Sequence, residues 1–539
     1  MAATPPPRAR PVREAWGTRL GLILAMAGNA IGLGNFLRFP VQAATHGGGA
    51  FMIPYFLSLL LFGIPLMWVE WAIGRHGGVR GHRSTPGMFH ALWAHPLARY
   101  AGALGILMPL VVMLYYTYVE SWSLGYALFS LTGAFGETLS IDSMTAFLQG
   151  YQGATPGAGF FHNLALGPVI FPTVAYGFFL VTLAANLYFL HRGLSGGIEK
   201  VALYGMPVLF VFAIAVMIRV LTLGTPDPAQ PGNNVLAGLG FIWNPDLSAL
   251  GDATVWLAAA GQVFFTLSLG QGSLHCYASY LRPKDDLALS GLATAATNET
   301  AEVVLGSTIA IPAAVAFFGV AATTQLAGSG PFNLGFVTLP VVFDQIPGGA
   351  LFGALWFFLL FIAGITSSLA MGQVVIAFLG DAFGVPRGRA VAWLGAAVFL
   401  GSQPVIFLLG SGYMGELDFW AGSFGLFLFG TIEMILFSWV FGIRRGWEEI
   451  TQGADIRIPR IFRFLIGWVT PVLMIGILIG WLTQGAVDVV LMRDVDAAAR
   501  STVLAARGFL VATLVALLWM IRRAWRGRSQ ESVAGEVTA

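Results

Sequence analysis

The chain has 539 residues, of which 57% are hydrophobic and only 10% are charged, whereas an ordinary soluble domain has about 25% charged residues. So few charges cannot cover the surface of a soluble fold of this length, so the composition excludes a soluble enzyme, a disordered protein and a collagen-like chain. The net charge of +2 gives no indication of a nucleic-acid partner, and a single cysteine, Cys276, excludes an intramolecular disulfide and a cysteine-cluster metal site.

Long, continuous apolar runs predict transmembrane helices rather than a β-barrel, because most of them exceed about 18 residues and do not alternate. The prediction is an all-α membrane protein with twelve transmembrane helices. We number them spans 1 to 12 in chain order: 20–45, 48–74, 97–130, 168–190, 198–221, 252–280, 287–318, 348–380, 388–409, 418–442, 461–483 and 503–521.

The distribution of basic residues predicts the orientation in the membrane. Most of the 28 lysine and arginine residues lie at the two ends of the chain and in alternate loops, whereas 131–167 and 319–347 contain none. Because basic loops stay on the cytoplasmic side, both termini are expected in the cytoplasm, with the protein in the cell (inner) membrane.

Spans 1 and 6 have centres that are unsuited to a continuous helix. The sequence reads GNAIGLGN over 28–35 and SLGQG over 268–272. Non-helical backbone at membrane depth is tolerated only where it lines a cavity. Two interrupted helices at matching places in the two halves predict an inverted five-plus-five helix repeat with broken helices 1 and 6 and a binding site at the midplane. The alternative for span 1 alone is a Gly-x-x-x-Gly helix-packing face.

The repeat divides the chain into segments. These are a cytoplasmic N-terminal tail (1–19), a first five-helix repeat (20–221), an external loop (222–251), a second five-helix repeat (252–442), helices 11 and 12 (443–527) and a cytoplasmic tail (528–539).

Several segments resemble the neurotransmitter:sodium symporter family. They are the stretch from RLG at 19–21 through GNFLRFP at 34–40, GGGAF at 47–51, the Tyr115-Tyr116 pair, FFTLSLG at 264–270, Asn298-Glu299, Thr366-Ser367-Ser368 and Asp418-Phe419-Trp420. The resemblance covers most of spans 1–10 and is weaker in the external loops and in spans 11 and 12. It implies a sodium-coupled symporter of neutral amino acids that works by alternating access.

The resemblance also implies where a zwitterionic amino acid binds. Its carboxylate would meet the amides of Leu33 and Gly34 and the Tyr116 hydroxyl, because an unwound helix offers free N–H groups. Its ammonium would meet the carbonyls of Ala30, Phe265 and Thr266 and the Ser268 hydroxyl. The side-chain pocket would be formed by Val112, Phe265, Gln271, Ser367 and Met371. Because Gln271 is polar, either the substrate carries a polar group or Gln271 bonds a neighbour or water, and which amino acid is carried stays open.

Two sodium sites follow from the same resemblance, since sodium prefers several oxygen ligands. The first would use Ala30, Asn35, Thr266 and Asn298, with the substrate carboxylate as a further ligand. The second would use Gly28, Ile31, Ala363, Thr366 and Ser367. A Thr-Ser pair alone usually bonds its own helix, so only the joint presence of these positions favours sodium.

Charged residues inside spans are expensive and are therefore functional candidates. Arg38 and Asp418 resemble the family's external gate. Arg13 and Asp381 resemble the cytoplasmic gate, together with Trp16, Ser279 and Tyr280. Glu70 resembles the carboxylate that caps the freed amides of the broken helices, Glu120 and Glu433 receive only a structural interpretation, and the histidines lie mostly in loops and show no metal-ligand spacing.

Glu302 lies one helical turn beyond Asn298, where chloride-dependent members of the family bind chloride, and Tyr55, Gln262 and Thr266 match the rest of that site. A fixed carboxylate would replace the anion, so no chloride is expected. The same carboxylate could carry a proton outward, and the alternative is a permanently ionised structural glutamate.

Two rival functions are an intramembrane enzyme, for which no nucleophile–base pair or metal cluster is visible, and a channel or transport-dead sensor. The partners expected are a small-molecule amino acid and membrane lipid, with no nucleic acid. The sequence does not define the oligomeric state, so a homodimer stays open.

Overall fold

The computed structural model describes residues 14–155, 159–166 and 169–537, and these residues form mainly helices. The helices of the twelve spans are, in order, Arg19–Ala30 with Gly34–Thr45, Gly49–Val79, Pro96–Thr132, Thr173–His191, Leu194–Leu221, Ala253–Thr266 with Ser273–Ala278, Ala288–Gly328, Gly349–Phe383, Arg387–Phe407, Tyr413–Thr451, Ile461–Gln484 and Arg500–Val537.

The helices agree with the predicted number of spans. Among the described residues, ten helices are long and apolar enough to cross a membrane, and the bent pair of span 1 adds an eleventh. Span 6 consists of one helix of 14 residues and one of 6 residues, so neither half could cross alone, and together they complete the twelve.

The break in span 1 follows its glycine and asparagine content. The first half ends at Ala30, Ile31 is extended (φ −73°, ψ 99°), and the second half begins at Gly34 with its axis turned by 49°. A Cβ on Gly34 would lie 2.3 Å from the Phe265 ring, so the two broken spans can approach this closely only with a glycine here.

The break in span 6 is a stretch of left-handed backbone. Ser268, Gly270 and Gly272 have φ values of 53°, 68° and 81°. A Cβ on Gly270 would lie 2.0 Å from the Leu426 carbonyl oxygen, so this position requires glycine for both its conformation and its contact with span 10.

Spans 3 and 8 pack together along their lengths and form the most extensive helix pair among the described residues. They are the third helices of the two repeats, as spans 1 and 6 are the first helices. The predicted inverted repeat requires that spans 3 and 8 be equivalent in this way. Both helix breaks lie beside these two long spans.

The segments predicted as external loops are largely folded. They contain the helices Ile141–Gln152, Val235–Trp243 and Pro331–Asp344, and the strand Leu164–Leu166. This strand pairs antiparallel with Val169–Phe171, which occupies the start of the predicted span 4, so the helix of that span begins only at Thr173. Side-chain caps explain two of the helix starts, because Ser140 accepts from the Ser143 amide and Asn234 accepts from the Ala237 amide.

Candidate functional site

A small cavity lies between the two helix breaks and is lined by spans 1, 3, 6, 8 and 10. Most of the predicted substrate residues line it: Ala30, Gly34, Val112, Tyr116, Phe265, Ser268, Gln271, Ser367 and Met371. The two others lie beside it. The Leu33 amide donates to the Tyr116 hydroxyl (3.0 Å), and Thr266 belongs to a polar cluster at the edge of the cavity.

Five further residues that the sequence analysis did not assign to the substrate also line the cavity: Asn29, Gly32, Asn35, Gly422 and Leu426. The Asn29 side chain is buried and makes no hydrogen bond among the described residues. The sequence did contain a signal for Asn29, because this asparagine lies within the predicted break of span 1. No such signal marks Gly422 and Leu426, because only helix packing brings them to the cavity.

Gln271 is one of the residues that line the cavity. Its Oε1 accepts from the Ser273 hydroxyl at 3.1 Å, whereas its NH2 group has no partner among the described residues. Gln271 therefore bonds a neighbour through its oxygen and can still donate to a molecule in the cavity.

The first polar cluster comprises Asn35, Thr266, Asn298 and Glu302, and each of these residues is at most 1% exposed. The Asn35 Nδ2 lies 3.0 Å from Thr266 Oγ1, 2.8 Å from Asn298 Oδ1 and 2.9 Å from Glu302 Oε2. One NH2 group has only two hydrogens for these three oxygens. The surplus of oxygen lone pairs is the environment in which a hard cation such as sodium is stable.

The second cluster joins spans 1 and 8. The Ser367 Oγ lies 3.2 Å from the Gly28 carbonyl oxygen and 3.4 Å from that of Ile31. The Thr366 Oγ1 lies 3.0 Å from the Ala363 carbonyl oxygen, and a Cβ on Gly28 would be 2.9 Å from the Thr366 Cβ. The structure thus brings together the five predicted positions, again with more oxygens than hydroxyl hydrogens.

Glu302 is held by two amide donors. Its Oε1 accepts from Gln262 Nε2 at 2.8 Å, and its Oε2 accepts from Asn35. Tyr55, which the sequence analysis grouped with Glu302, lies beside Glu302 and donates to Glu299 Oε2 at 2.8 Å. Sequence reasoning did not identify Glu299 as a second carboxyl group at this site, although it directly follows Asn298.

The residues of the predicted external gate lie near the cavity but form no direct ion pair among the described residues. The Arg38 guanidinium lies over the Phe265 ring, 4.4 Å from its centroid. The Asp418 Oδ1 accepts from the Tyr115 hydroxyl at 2.7 Å. Each gate residue thus contacts an aromatic side chain, and one of these, Phe265, lines the cavity.

The predicted cytoplasmic gate is only partly described, because Arg13 lies outside the described residues. The Asp381 carboxylate accepts from the backbone amide of Arg83, and the Arg83 guanidinium lies over the Tyr280 ring, 4.9 Å from its centroid. Arg387 pairs with Glu14 at 3.4 Å, a contact that sequence reasoning missed.

Further contacts close the same side of the molecule. The Trp16 indole donates to the Tyr277 carbonyl oxygen (3.1 Å), whereas among the described residues the Ser279 hydroxyl bonds only its own turn, through the Cys276 carbonyl oxygen (2.6 Å). Arg19 pairs with Asp286 and Asp455, and its hydrogen bond lowers the pKa of the Asp455 carboxyl below the usual range.

A sequence model of the Sodium:neurotransmitter symporter family matches residues 13–140 and 178–505. The chain belongs to this family. It is therefore a sodium-dependent membrane transporter and not an enzyme. This agrees with the resemblance that the motifs of spans 1–10 carry.

Individual members of the sodium:neurotransmitter symporter family match over most of the chain. An uncharacterised sodium-dependent transporter of Methanocaldococcus jannaschii is 31% identical over 474 residues, which are 86% of this chain and 89% of the relative. The sodium-dependent neutral amino acid transporter B(0)AT3 of Rattus norvegicus is 26% identical over 544 residues, covering 87% and 84%. The crystal structure of MhsT in complex with L-phenylalanine matches with a TM-score of 0.72 and 29% identity, covering 87% of this chain and 99% of MhsT.

Proposed function

We propose that this symporter carries neutral amino acids together with sodium, by alternating access, and needs no chloride. The observation that carries the proposal is the position of Asn35. It lines the cavity and also belongs to the first polar cluster, so an ion bound there would lie next to a substrate carboxylate. A shared ligand of this kind couples the binding of the two solutes, since each would strengthen the binding of the other.

The lining of the cavity supports a neutral substrate side chain. None of the residues that line it among the described part of the chain is charged. A buried, unpaired charge on the substrate would be costly, so the pocket favours uncharged side chains. The names of the relatives agree, since B(0)AT3 is a neutral amino acid transporter and MhsT was solved with L-phenylalanine.

Two sodium sites are part of the proposal. The first consists of Ala30, Asn35, Thr266 and Asn298 with the substrate carboxylate, and the second consists of Gly28, Ile31, Ala363, Thr366 and Ser367. The oxygen surplus in both clusters supports this assignment. An ion in the second site would hold span 1 against span 8, and one in the first would hold it against spans 6 and 7.

The chloride independence that we propose rests on Glu302. Its carboxylate is buried within the first cluster, so it supplies the negative charge that a sodium ion requires nearby. Chloride then has neither an electrostatic role nor free amide donors, because Gln262 and Asn35 already donate to the carboxylate.

The orientation that we propose places the arginine-rich side, with Glu14, Arg387 and Asp381, in the cytoplasm of a cell (inner) membrane. The contacts around Trp16 and Arg387 close the cytoplasmic side. On the external side, Arg38 and Asp418 form no ion pair with each other. Alternating access would form the outer pair as the inner contacts separate.

Uptake of labelled amino acids into proteoliposomes tests the proposal. A screen of neutral and charged amino acids, in sodium gluconate against potassium gluconate, should show sodium-driven accumulation of neutral amino acids only. Asn298→Ala should abolish this accumulation. The control Asn333→Ala changes a partly exposed asparagine on the Pro331–Asp344 helix and should transport normally.

Two outcomes would contradict the proposal. Equal uptake with sodium and potassium would exclude coupling. A sodium flux that needs no amino acid would instead support the channel alternative.

A further inference from the structure

A buried histidine lies between two buried carboxyl groups on spans 2, 6 and 10. The His275 Nδ1 is 3.4 Å from Glu70 Oε2, and its Nε2 is 3.3 Å from Glu433 Oε1. All three side chains are completely buried. We refer to Glu70, His275 and Glu433 as the triad. The sodium and substrate sites contain none of these residues.

Within the described part of the chain, most polar atoms of the triad have only the other triad residues as neighbours that could pair with them. Among the described residues, both ring nitrogens, Glu70 Oε2 and both Glu433 oxygens make no conventional hydrogen bond. Among the residues that the structure describes, no lysine or arginine forms an ion pair with Glu70 or Glu433. Leaving such groups charged and unpaired in an apolar interior is costly, so something must satisfy them.

Proton counting shows what satisfies them. A neutral imidazole has one N–H, so one of its nitrogens would present a lone pair to a carboxylate. Both contacts are favourable when the three groups share two protons, either as an imidazolium between two carboxylates or as a neutral imidazole beside one protonated carboxyl. One ligand atom of each of the three residues also lies within 4.8 Å of the others, so a metal ion is the competing occupant, and a measurement of bound zinc distinguishes the two.

The surroundings of the triad offer no other charge. Phe89 and Phe429 pack on the imidazole, with ring centroids 6.4 and 6.2 Å away. The other titratable groups on the neighbouring elements have different partners: Arg75 and His76 contact Glu449, His90 contacts Trp525, Tyr277 contacts Trp16, Cys276 contacts the Gln373 carbonyl, and Asp381 contacts Arg83.

The triad is linked directly to the pocket. Glu70 Oε1 accepts from the Gly270 amide at 2.7 Å, in the unwound part of span 6, and the next residue is Gln271. His275 lies on the second half of the same span. The position of the pocket wall and the contacts of the triad therefore depend on the same stretch of backbone.

We propose that the triad is a proton-binding site whose occupancy is linked to closure of the pocket. With two protons, His275 bridges spans 2 and 10 and holds span 6 in the closed arrangement. When one proton leaves to water, one bridging contact becomes a repulsion between lone pairs, and span 6 is no longer held. Ligand binding that closes the pocket then takes up a proton. The link to transport rests on the proposed function, whereas the proton-binding site does not.

The pH dependence of thermal unfolding without substrate tests the proton site itself. Unfolded glutamate and histidine lose their titratable protons near pH 4.3 and pH 6.5, and the unfolded neutral imidazole keeps one N–H. Between about pH 7 and about pH 9 the folded wild type, with two protons on the triad, would therefore hold one more proton than the unfolded chain. Because the folded state then binds more protons, its stability falls as the pH rises. The apparent Tm of the wild type should therefore fall more steeply than that of His275→Gln/Glu433→Gln.

His76→Gln is the matched control, since it removes a histidine that contacts a carboxylate outside the triad. It should keep the wild-type slope. Equal slopes for the wild type and the double variant would overturn the proposal. One zinc ion per protein that is lost in His275→Gln would also overturn it and would make the triad a metal site.

Sodium binding tests the link to the pocket without knowledge of the substrate. Sodium gluconate is titrated at constant ionic strength, and tryptophan fluorescence reports sodium binding. In weak buffer, a pH electrode records the proton uptake that accompanies binding. If one proton is taken up with each binding event, the apparent sodium affinity of the wild type falls by up to about tenfold for each unit by which the pH rises on the alkaline side. His275→Gln should flatten this slope, and His76→Gln should retain it.

Several outcomes would overturn the link. They are a pH-independent sodium affinity, an undiminished slope in His275→Gln, or no proton uptake by the wild type. The last readout needs no variant, so it stands even if His275→Gln does not fold. Sodium binding with this pH slope but without amino-acid uptake in vesicles would refute the proposed substrate and leave the proton site intact.

Discussion

Replacing Glu302 by serine should convert a chloride-independent transporter into a chloride-dependent one. Glu302→Ser removes a buried carboxylate and frees the Gln262 and Asn35 amide groups that donate to it at 2.8 and 2.9 Å. Two freed N–H donors beside a sodium ion form a site that suits a small anion, because the anion would restore both the hydrogen bonds and the lost negative charge.

The size of the effect follows from the separation of the charges. Asn35 lies between Glu302 and the rest of the first cluster, so the carboxylate would be about 5 Å from the ion, and at an effective dielectric constant of about 20 the attraction is about 3 kcal/mol. This corresponds to a loss of about 100-fold in sodium affinity for Glu302→Ser in gluconate. Chloride should recover most of this loss.

Sodium-dependent amino-acid uptake in chloride and in gluconate measures this prediction. Uptake by the wild type should differ less than about twofold between chloride and gluconate, since an anion that is exposed or absent contributes little to sodium binding. Glu302→Gln is the matched control. It keeps the volume and a hydrogen-bond acceptor but leaves no room for chloride, so it should lose activity in both anions. Strong chloride dependence of the wild type, or none in Glu302→Ser, would refute the reasoning.

Three further perturbations test the pocket and its breaks. Asn35→Ala should weaken sodium and amino-acid binding by the same factor, which is at least about tenfold for the loss of a buried, multiply bonded amide, and titration of each ligand with and without the other measures this. Gln271→Phe should shift competition profiles toward small or medium aliphatic amino acids, and an unchanged profile would show that the Gln271 amide does not meet the substrate. Gly270→Ala should cost more than about 2 kcal/mol, because its Cβ would meet the Leu426 carbonyl in left-handed backbone. Gly261→Ala, which meets nothing within 4 Å, is its control in a melting assay, and equal Tm values would contradict this reading of the break.

Much of the architecture could be predicted because membrane helices obey local rules. Apolar length predicted the twelve spans. Glycine together with polar residues at membrane depth predicted the breaks at 31–33 and 267–272, since each unsatisfied backbone group in hydrocarbon is costly. The folded external segments were treated as loops although Ser140 and Asn234 are recognisable helix caps, so that signal was present and unused.

The residues of the candidate site could be predicted only where they belong to a motif of the family. Most of the cavity lining was assigned through the resemblance, whereas Gly422 and Leu426 carry no polar group that could mark them. The partners of charged residues were the least predictable feature. Arg38 was expected to pair with Asp418, and the structure instead places an aromatic contact at each, with Phe265 and Tyr115.

The sequence by itself determined which segments cross the membrane, where spans 1 and 6 unwind and which side chains lie near the unwound backbone. These features depend on neighbouring residues, through hydrophobic length, glycine content and the need to satisfy backbone N–H and C=O groups. Only the tertiary structure decided that His275 lies between Glu70 and Glu433, and that Tyr55 donates a hydrogen bond to Glu299. Each of these three contacts joins residues that are more than 150 positions apart in the sequence. The rotation and depth of each helix select the partner, and packing across the whole bundle sets them.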